Sequence, residues 1–162
     1  VRKMTKYMKF FGMLMIAMFF LSSCQNEVEI SSVDPVNWEK RMANASALDS
    51  LVEGTTYLSV YAQIYSETEH RTHNLTSTIS MRNTDRTDTL FIENCEYFDT
   101  HGASVRKYFD KPIYIAPMET VEIVIDETNQ EGGTGGNFIF DWKIQPDSNE
   151  PLFEGVMIST SG

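Results

Sequence analysis

GGTGGNFIFDWKI, residues 132–144, decides how the rest of the chain is read. Phe138, Phe140, Trp142 and Ile144 recur at every second position, the repeat of a strand with one buried face. Ahead of them, four glycines fall within positions 132–136. A phosphate-cradling loop needs a lysine and a serine or threonine after its last glycine, then a helix whose amino end faces the phosphate. Here Asn137 and Phe138 follow, a strand begins, and the approach carries Asp126, Glu127 and Glu131, which repel phosphate. A dinucleotide fingerprint fails on the same grounds. Glu127, Asn129 and Glu131 alternate before Gly132 as calcium ligands do, yet the acid such a loop needs at its twelfth position is Phe138. The glycines are therefore expected to shape a long turn, with positive φ at several of them.

Working outward, the period of two recurs over 56–66, 74–83, 89–98, 103–109, 119–127, 137–145 and 152–159. Turn residues separate these segments: Asn83 to Asp85, Asp99 to Gly102, Lys111 with Pro112, Ala116 with Pro117, and Gln145 to Asp147. Seven short strands and no alternating helices predict an all-β fold, an immunoglobulin-like antiparallel β-sandwich. Val121, Ile123 and Ile125, with Leu75, Ile79 and Met81, join the Phe138 set as the expected core. Before the strands, Asp34 and Pro35 read as an N-cap and first helical position. Trp38, Met42, Ala45, Leu48 and Val52 then recur at helical spacing, and Gly54 ends the pattern. A short amphipathic helix is predicted over 35–51.

The amino end has the three parts of a secretory signal. Arg2, Lys3, Lys6 and Lys9 are basic, and residues 10–21 form an apolar run too short to span a bilayer comfortably, where about 20 residues are needed. Leu21, Ser22, Ser23 and Cys24 resemble the lipobox of bacterial lipoproteins. That resemblance implies cleavage before Cys24, diacylation of its thiol and acylation of the new amino group, so several acyl chains anchor one residue. The expected organisation is a signal peptide over 1–23, a lipid-anchored tether with the short helix over 24–54, and the sandwich over 55–162. Gln25 differs from the aspartate that retains lipoproteins in an inner membrane, so the outer membrane of a Gram-negative cell is the expected site.

Removing the leader takes four of the 13 basic residues and none of the 23 acidic ones, which leaves a net charge of −14. Such a surface is repelled by nucleic acid and by anionic lipid head groups. With Cys24 acylated, Cys95 has no disulfide partner, and its apolar strand predicts a buried, inert thiol.

The runs TTYLSVYAQIY, SMRNTD, CEYFDTHGASVRKYFDKPI, IAPMETVEIVI, GGTGGNFIFDW and EGVMISTSG follow one another in this order. As a set, with Arg82 to Asp85, Tyr97 to Asp99 with Gly102, and Gly135 to Phe138, they resemble the bacterial domain of unknown function family 3124. The resemblance covers residues 51–162. It implies an exported or lipoprotein-like protein and carries over no catalytic residue.

Candidate sites are few. Glu67, Glu69, His70 and His73 lie in the expected loop between the first two strands, and His101 lies in a turn. Two histidines three apart fall short of the three or four convergent ligands zinc requires. No G-x-S-x-G motif is present and no cysteine–histidine signature surrounds Cys95, so no catalytic residue, metal or cofactor is expected. Tyr57, Tyr61 and Tyr65 share one face of the first strand, and Leu58, Val60, Ala62 and Ile64 share the other, expected to be buried. The apolar side of the helix, with Trp38 and Met42, is the expected cover for the tyrosines. Uncovered, they form a surface for a glycan or protein partner. The expected function is a non-catalytic binding module on the cell envelope. An assembly accessory acting through sheet-edge pairing stands second, and a metal-dependent or hydrolytic enzyme third.

Overall fold

The computed structural model of the protein describes residues 36–44 and 48–159. The expected leader, Cys24 and positions 25–35 and 45–47 of the tether lie outside the described residues. Among those described, one 3-10 turn at Trp38–Arg41 precedes ten strands. In order they are β1 (Val52–Val60), β2 (Gln63–Ser66), β3 (Thr68–Asn74), β4 (Thr76–Arg82), β5 (Leu90–Phe98), β6 (Ser104–Lys107), β7 (Ile113–Ile115), β8 (Thr120–Ile125), β9 (Gly136–Ile144) and β10 (Leu152–Ile158).

Every pairing is antiparallel. The larger sheet runs β1-β9-β5-β6, with β7 also on β5; the second runs β10-β4-β8. Strands β2 and β3 form a hairpin of their own. The two sheets pack as a sandwich whose core draws on both inner faces. Ile92, Cys95, Tyr97, Phe138 and Phe140 come from the first, and Ile79, Met81, Val121, Ile123 and Phe153 from the second. Phe140 stacks on Phe153 across the layers, ring centroids 4.3 Å apart. The strict alternation of β9, buried at Phe138, Phe140, Trp142 and Ile144, is the pattern read from the sequence. All-β, antiparallel and layered, the fold is the one the alternation predicts.

The strand order carries a detail that alternation alone does not encode. β4 beside β8 and β5 beside β9 are the inner pairs of an immunoglobulin-like sandwich. The outermost strands have exchanged sheets: β1 pairs with β9, and β10 with β4.

Three expectations are corrected. No helix spans 35–51; the described part holds only the four-residue 3-10 turn, with the Asn37 side chain accepting from the Lys40 amide. Beyond it Met42 turns extended and bridges Ile113, and the Ala43 amide donates to the Pro112 carbonyl at 2.7 Å. The sheet edge thus supplies partners that helical bonds would otherwise supply. Trp38 packs on Phe109 at 5.2 Å, edge-on to Tyr108 at 6.4 Å. Gly54 does not end a helix; it lies in β1 opposite Trp142, and a Cβ there would overlap the indole. Finally, the long first strand breaks at Tyr61 and Ala62, because the amides of Ala62 and Gln63 both donate to the Gly133 carbonyl. The chain then leaves the sandwich as the β2–β3 hairpin, and Ile64, expected to be buried, is exposed.

Candidate functional site

Tyr57 stands on the outer face of β1, opposite Ile139 of β9. The residue is 61 % exposed, as is Tyr65 on β2, while Tyr61 at the break is 39 % exposed. The expected cover does not reach them. Residues 36–43 strap the far end of the larger sheet instead, where Arg41 forms a two-pronged bond to Glu119 at 2.6 and 3.1 Å. This pairing raises the Arg41 pKa and lowers that of Glu119, the hydrogen bond between them being the main cause in each case.

The tyrosine hydroxyls lead to the glycine cluster. Tyr57 donates to the Oδ1 of Asn137, and Thr134 Oγ1 donates to the Tyr65 hydroxyl at 3.4 Å. Asn137 is itself held, its Nδ2 donating to the carbonyls of Gly135 at 3.2 Å and Asp99 at 3.5 Å. Two exposed rings are therefore tied to one short stretch of loop. Asn137 and Thr134 were not picked out from the sequence as site residues. Their only signal there was a polar residue at the start of the aromatic strand and another inside the glycine run.

Why the loop is glycine-rich follows from what lies beneath it. A Cβ at Gly132 would overlap the Tyr97 hydroxyl, and one at Gly136 would press on the same ring at 2.9 Å. Of the four glycines only Gly133 takes a positive φ, 62°, so the expectation of several is corrected. Its carbonyl takes the two β1–β2 amides, and Thr100 Oγ1 donates to the Gly132 carbonyl at 3.0 Å. Gly135 is different. A Cβ there would make ordinary contact with the Thr100 side chain, Cγ2 lying at 3.5 Å, so space beneath the loop does not demand glycine at that point.

Other chemistry-bearing groups do not gather into a centre. His70 and His73 sit on β3, a strand where a loop was expected, and His70 faces Glu69 at 3.5 Å. Asn129 accepts from the Glu131 amide, and Asp126 accepts from the Thr128 amide and hydroxyl, so these acidic-loop oxygens close turns. Among the described residues, no group of three or more His, Cys, Asp or Glu could hold a metal ion. Cys95 is buried, and burial pushes its thiol well above the usual value, which leaves no nucleophile there. Two open grooves flank the larger sheet. One, about 500 Å³, lies along the strap with Arg41 and Glu119 in its wall. The other, about 480 Å³, holds Glu53, Glu93 and Asp141. Asp141 accepts from Thr55 at 2.7 Å and Asn94 at 3.2 Å, and Glu93 pairs with Lys143 at 3.2 Å. Their polar groups are largely spent on one another.

The model of the family described as "Protein of unknown function (DUF3124)" matches residues 53–162. The chain belongs to this family. No curated protein and no solved structure matches it. The DUF3124 region begins within β1 and takes in Tyr57, Tyr61 and Tyr65, the glycine loop and both sheets, whereas the strap at 36–43 lies outside it.

Proposed function

We propose that this protein is a lipid-anchored component of a bacterial cell envelope, and that its DUF3124 sandwich is a non-catalytic binding module. The lipobox-like Leu21 to Cys24 behind a basic, apolar leader supports anchoring through Cys24, in the outer membrane of a Gram-negative cell. One observation carries the binding role: Tyr57 and Tyr65 are exposed, yet both are tied by their hydroxyls to residues 134–137. Rings fixed before a partner arrives lose less side-chain entropy on binding, and tyrosine offers a flat apolar face beside a polar tip. The partner class is an envelope glycan or protein.

The test is a cross-linked capture from native envelopes with wild type and the Tyr57→Ala, Tyr65→Ala double variant. Wild type is expected to retain a partner that the variant loses. Equal capture would remove the tyrosines from the reading.

A second reading, assembly by sheet-edge pairing, draws on β10. Among the described residues β10 pairs only with β4, and it exposes Leu152, Val156 and Ile158. A regular apolar edge invites another strand. Val156→Lys separates the two readings, since it blocks edge pairing and leaves the tyrosine face untouched.

A further inference from the structure

We infer that one edge of the larger sheet, made by the strap, β6 and the chain between β6 and β7, docks on anionic phospholipid head groups and so orients the domain on its membrane. This goes beyond the proposed function and rests only on its anchoring half, not on the tyrosines. The first support is where the basic side chains lie. Nine occur among the described residues. Arg41, Arg71, Arg82 and Lys143 pair with carboxylates. Among the described residues the other five have no carboxylate within ion-pair distance, and four of them, Lys40, Arg106, Lys107 and Lys111, fall on this edge. Residues 36–43 and 104–114 hold five basic against two acidic side chains, a charge of +3, while the other described residues hold four against 18, or −14. Counting Glu96 and Glu119, which border the edge, still leaves it at +1. An acidic domain thus turns its free positive charge to one side.

The pieces of this edge are joined. Met42 bridges Ile113, and the Ala43 amide donates to the Pro112 carbonyl, beside Lys111. The Trp38 ring meets Tyr108, over which the Arg106 guanidinium lies at 5.8 Å. Lys107 follows on β6, opposite Glu96 of β5. Lys40, Lys107 and Lys111 are exposed, as are Met42 and Tyr114. Cations interleaved with aromatic and thioether side chains suit a head-group layer, where ammonium groups meet phosphates and rings sit at the boundary. Connectivity supplies the occupant. Val36 follows Cys24 by twelve residues, a reach of about 40 Å at most. An acylated Cys24 therefore keeps this edge beside the bilayer at high effective concentration, which no soluble anion shares. The negative body opposes approach, but its field is screened beyond about 8 Å, and its repulsion favours turning the basic edge inward. Glu27, Glu29 and Asp34 of the tether are the rival occupant of the edge.

The full acylated chain is reconstituted in vesicles of phosphatidylcholine, with or without phosphatidylglycerol, and its lysines are acetylated by a water-soluble reagent and read by mass spectrometry. Lys143, held by Glu93 on β9, is the internal reference. Lys40, Lys107 and Lys111 are expected to react more slowly relative to Lys143 only where phosphatidylglycerol is present, and high salt should remove the difference. One basic side chain near such a surface contributes about fivefold to binding, so Lys111→Gln should speed the labelling of Lys40 and Lys107 there by about that factor. Arg86→Gln, which removes a basic side chain away from the edge, should change nothing. Equal labelling on both vesicles overturns the inference, as does an equal effect of the two variants. Slow labelling on both vesicles, relieved by Glu27→Gln, Glu29→Gln and Asp34→Asn together, gives the edge to the tether and also overturns it. If Cys24 carries acyl groups while the lysines are indifferent to phosphatidylglycerol, the anchor stands and the docking falls. If Cys24 carries none, both fall.

Discussion

Gly132 shows how one missing side chain holds a loop in place. The Tyr97 ring occupies the space its Cβ would need, and it stacks on Phe138 at 4.7 Å, so it has little freedom to withdraw. Gly132→Ala is expected to destabilise by about 1–3 kcal/mol, the cost of overpacking a filled core, read as a drop in chemical-denaturation midpoint. The Tyr97 hydroxyl has no hydrogen-bond partner among the described residues, and burial pushes its pKa up to about 12. Tyr97→Phe should therefore be neutral or stabilising by about 1 kcal/mol, because it removes an unpaired polar group. A clear loss of stability would mean that the hydroxyl is satisfied. Asp85 behaves in the opposite way. Its Oδ1 accepts from the amides of Thr87 and Asp88, and its Oδ2 from Asn149, and these bonds hold its pKa far below the usual carboxylate range. A depressed carboxyl stabilises the fold fully above its unfolded pKa, about 4, and that contribution is lost as pH falls towards the folded value. Asp85→Asn should lower the melting temperature at pH 7, and the gap to wild type should narrow steadily as pH falls from 4 towards 2.

Among the elements, the strap is held by contacts that can be cut singly. Arg41→Ala removes the pair with Glu119, both partners being partly exposed, and should cost about 1 kcal/mol. The sharper readout is proteolysis, with cleavage at 36–43 accelerated while the sandwich stays intact. Lowering the pH below the carboxylate range should act likewise, since Glu119 is stabilised in its charged form by Arg41 and loses that pairing when protonated. The strap also marks where the sequence stopped being legible. Trp38 and Met42 repeat at helical spacing, but Trp38 packs on Phe109 and Met42 joins the sheet edge by its backbone at Ile113 with its side chain exposed, long-range partners that spacing does not reveal. β9, by contrast, was readable because both its alternation and its neighbours point the same way. β3 was hidden for a different reason: TEHRTHN has no apolar alternation, and it is a strand by pairing with β2. β7 is three residues bracketed by prolines, which read as turns. The tyrosine row was legible as a row. Its tie to the glycine loop needed Asn137 to be brought across from a strand 80 residues away.

For the whole molecule, the anchoring proposal makes a direct prediction. Cys24→Ser should abolish incorporation of a labelled fatty acid and release the chain from membranes; continued retention by membranes would refute it. Geometry then gives the attached domain a direction. The strap meets the larger sheet at Ile113, level with Ile92 and Trp142, while the glycine loop opens at Gly136, six residues or about 20 Å further along β9. An anchored domain docked by its strap would hold the glycine loop, with Tyr61 and Tyr65 beyond the end of β1, away from that contact. The exchange of outer strands has a mechanical consequence. Because β1 lies antiparallel along β9 from Val52 opposite Ile144 to Val60 opposite Gly136, tension between the amino end of β1 and a partner held at residues 134–137, ahead of and at the start of β9, runs along the strand axis. The hydrogen bonds of that ladder would be loaded together in shear, and the domain should resist being peeled open strand by strand.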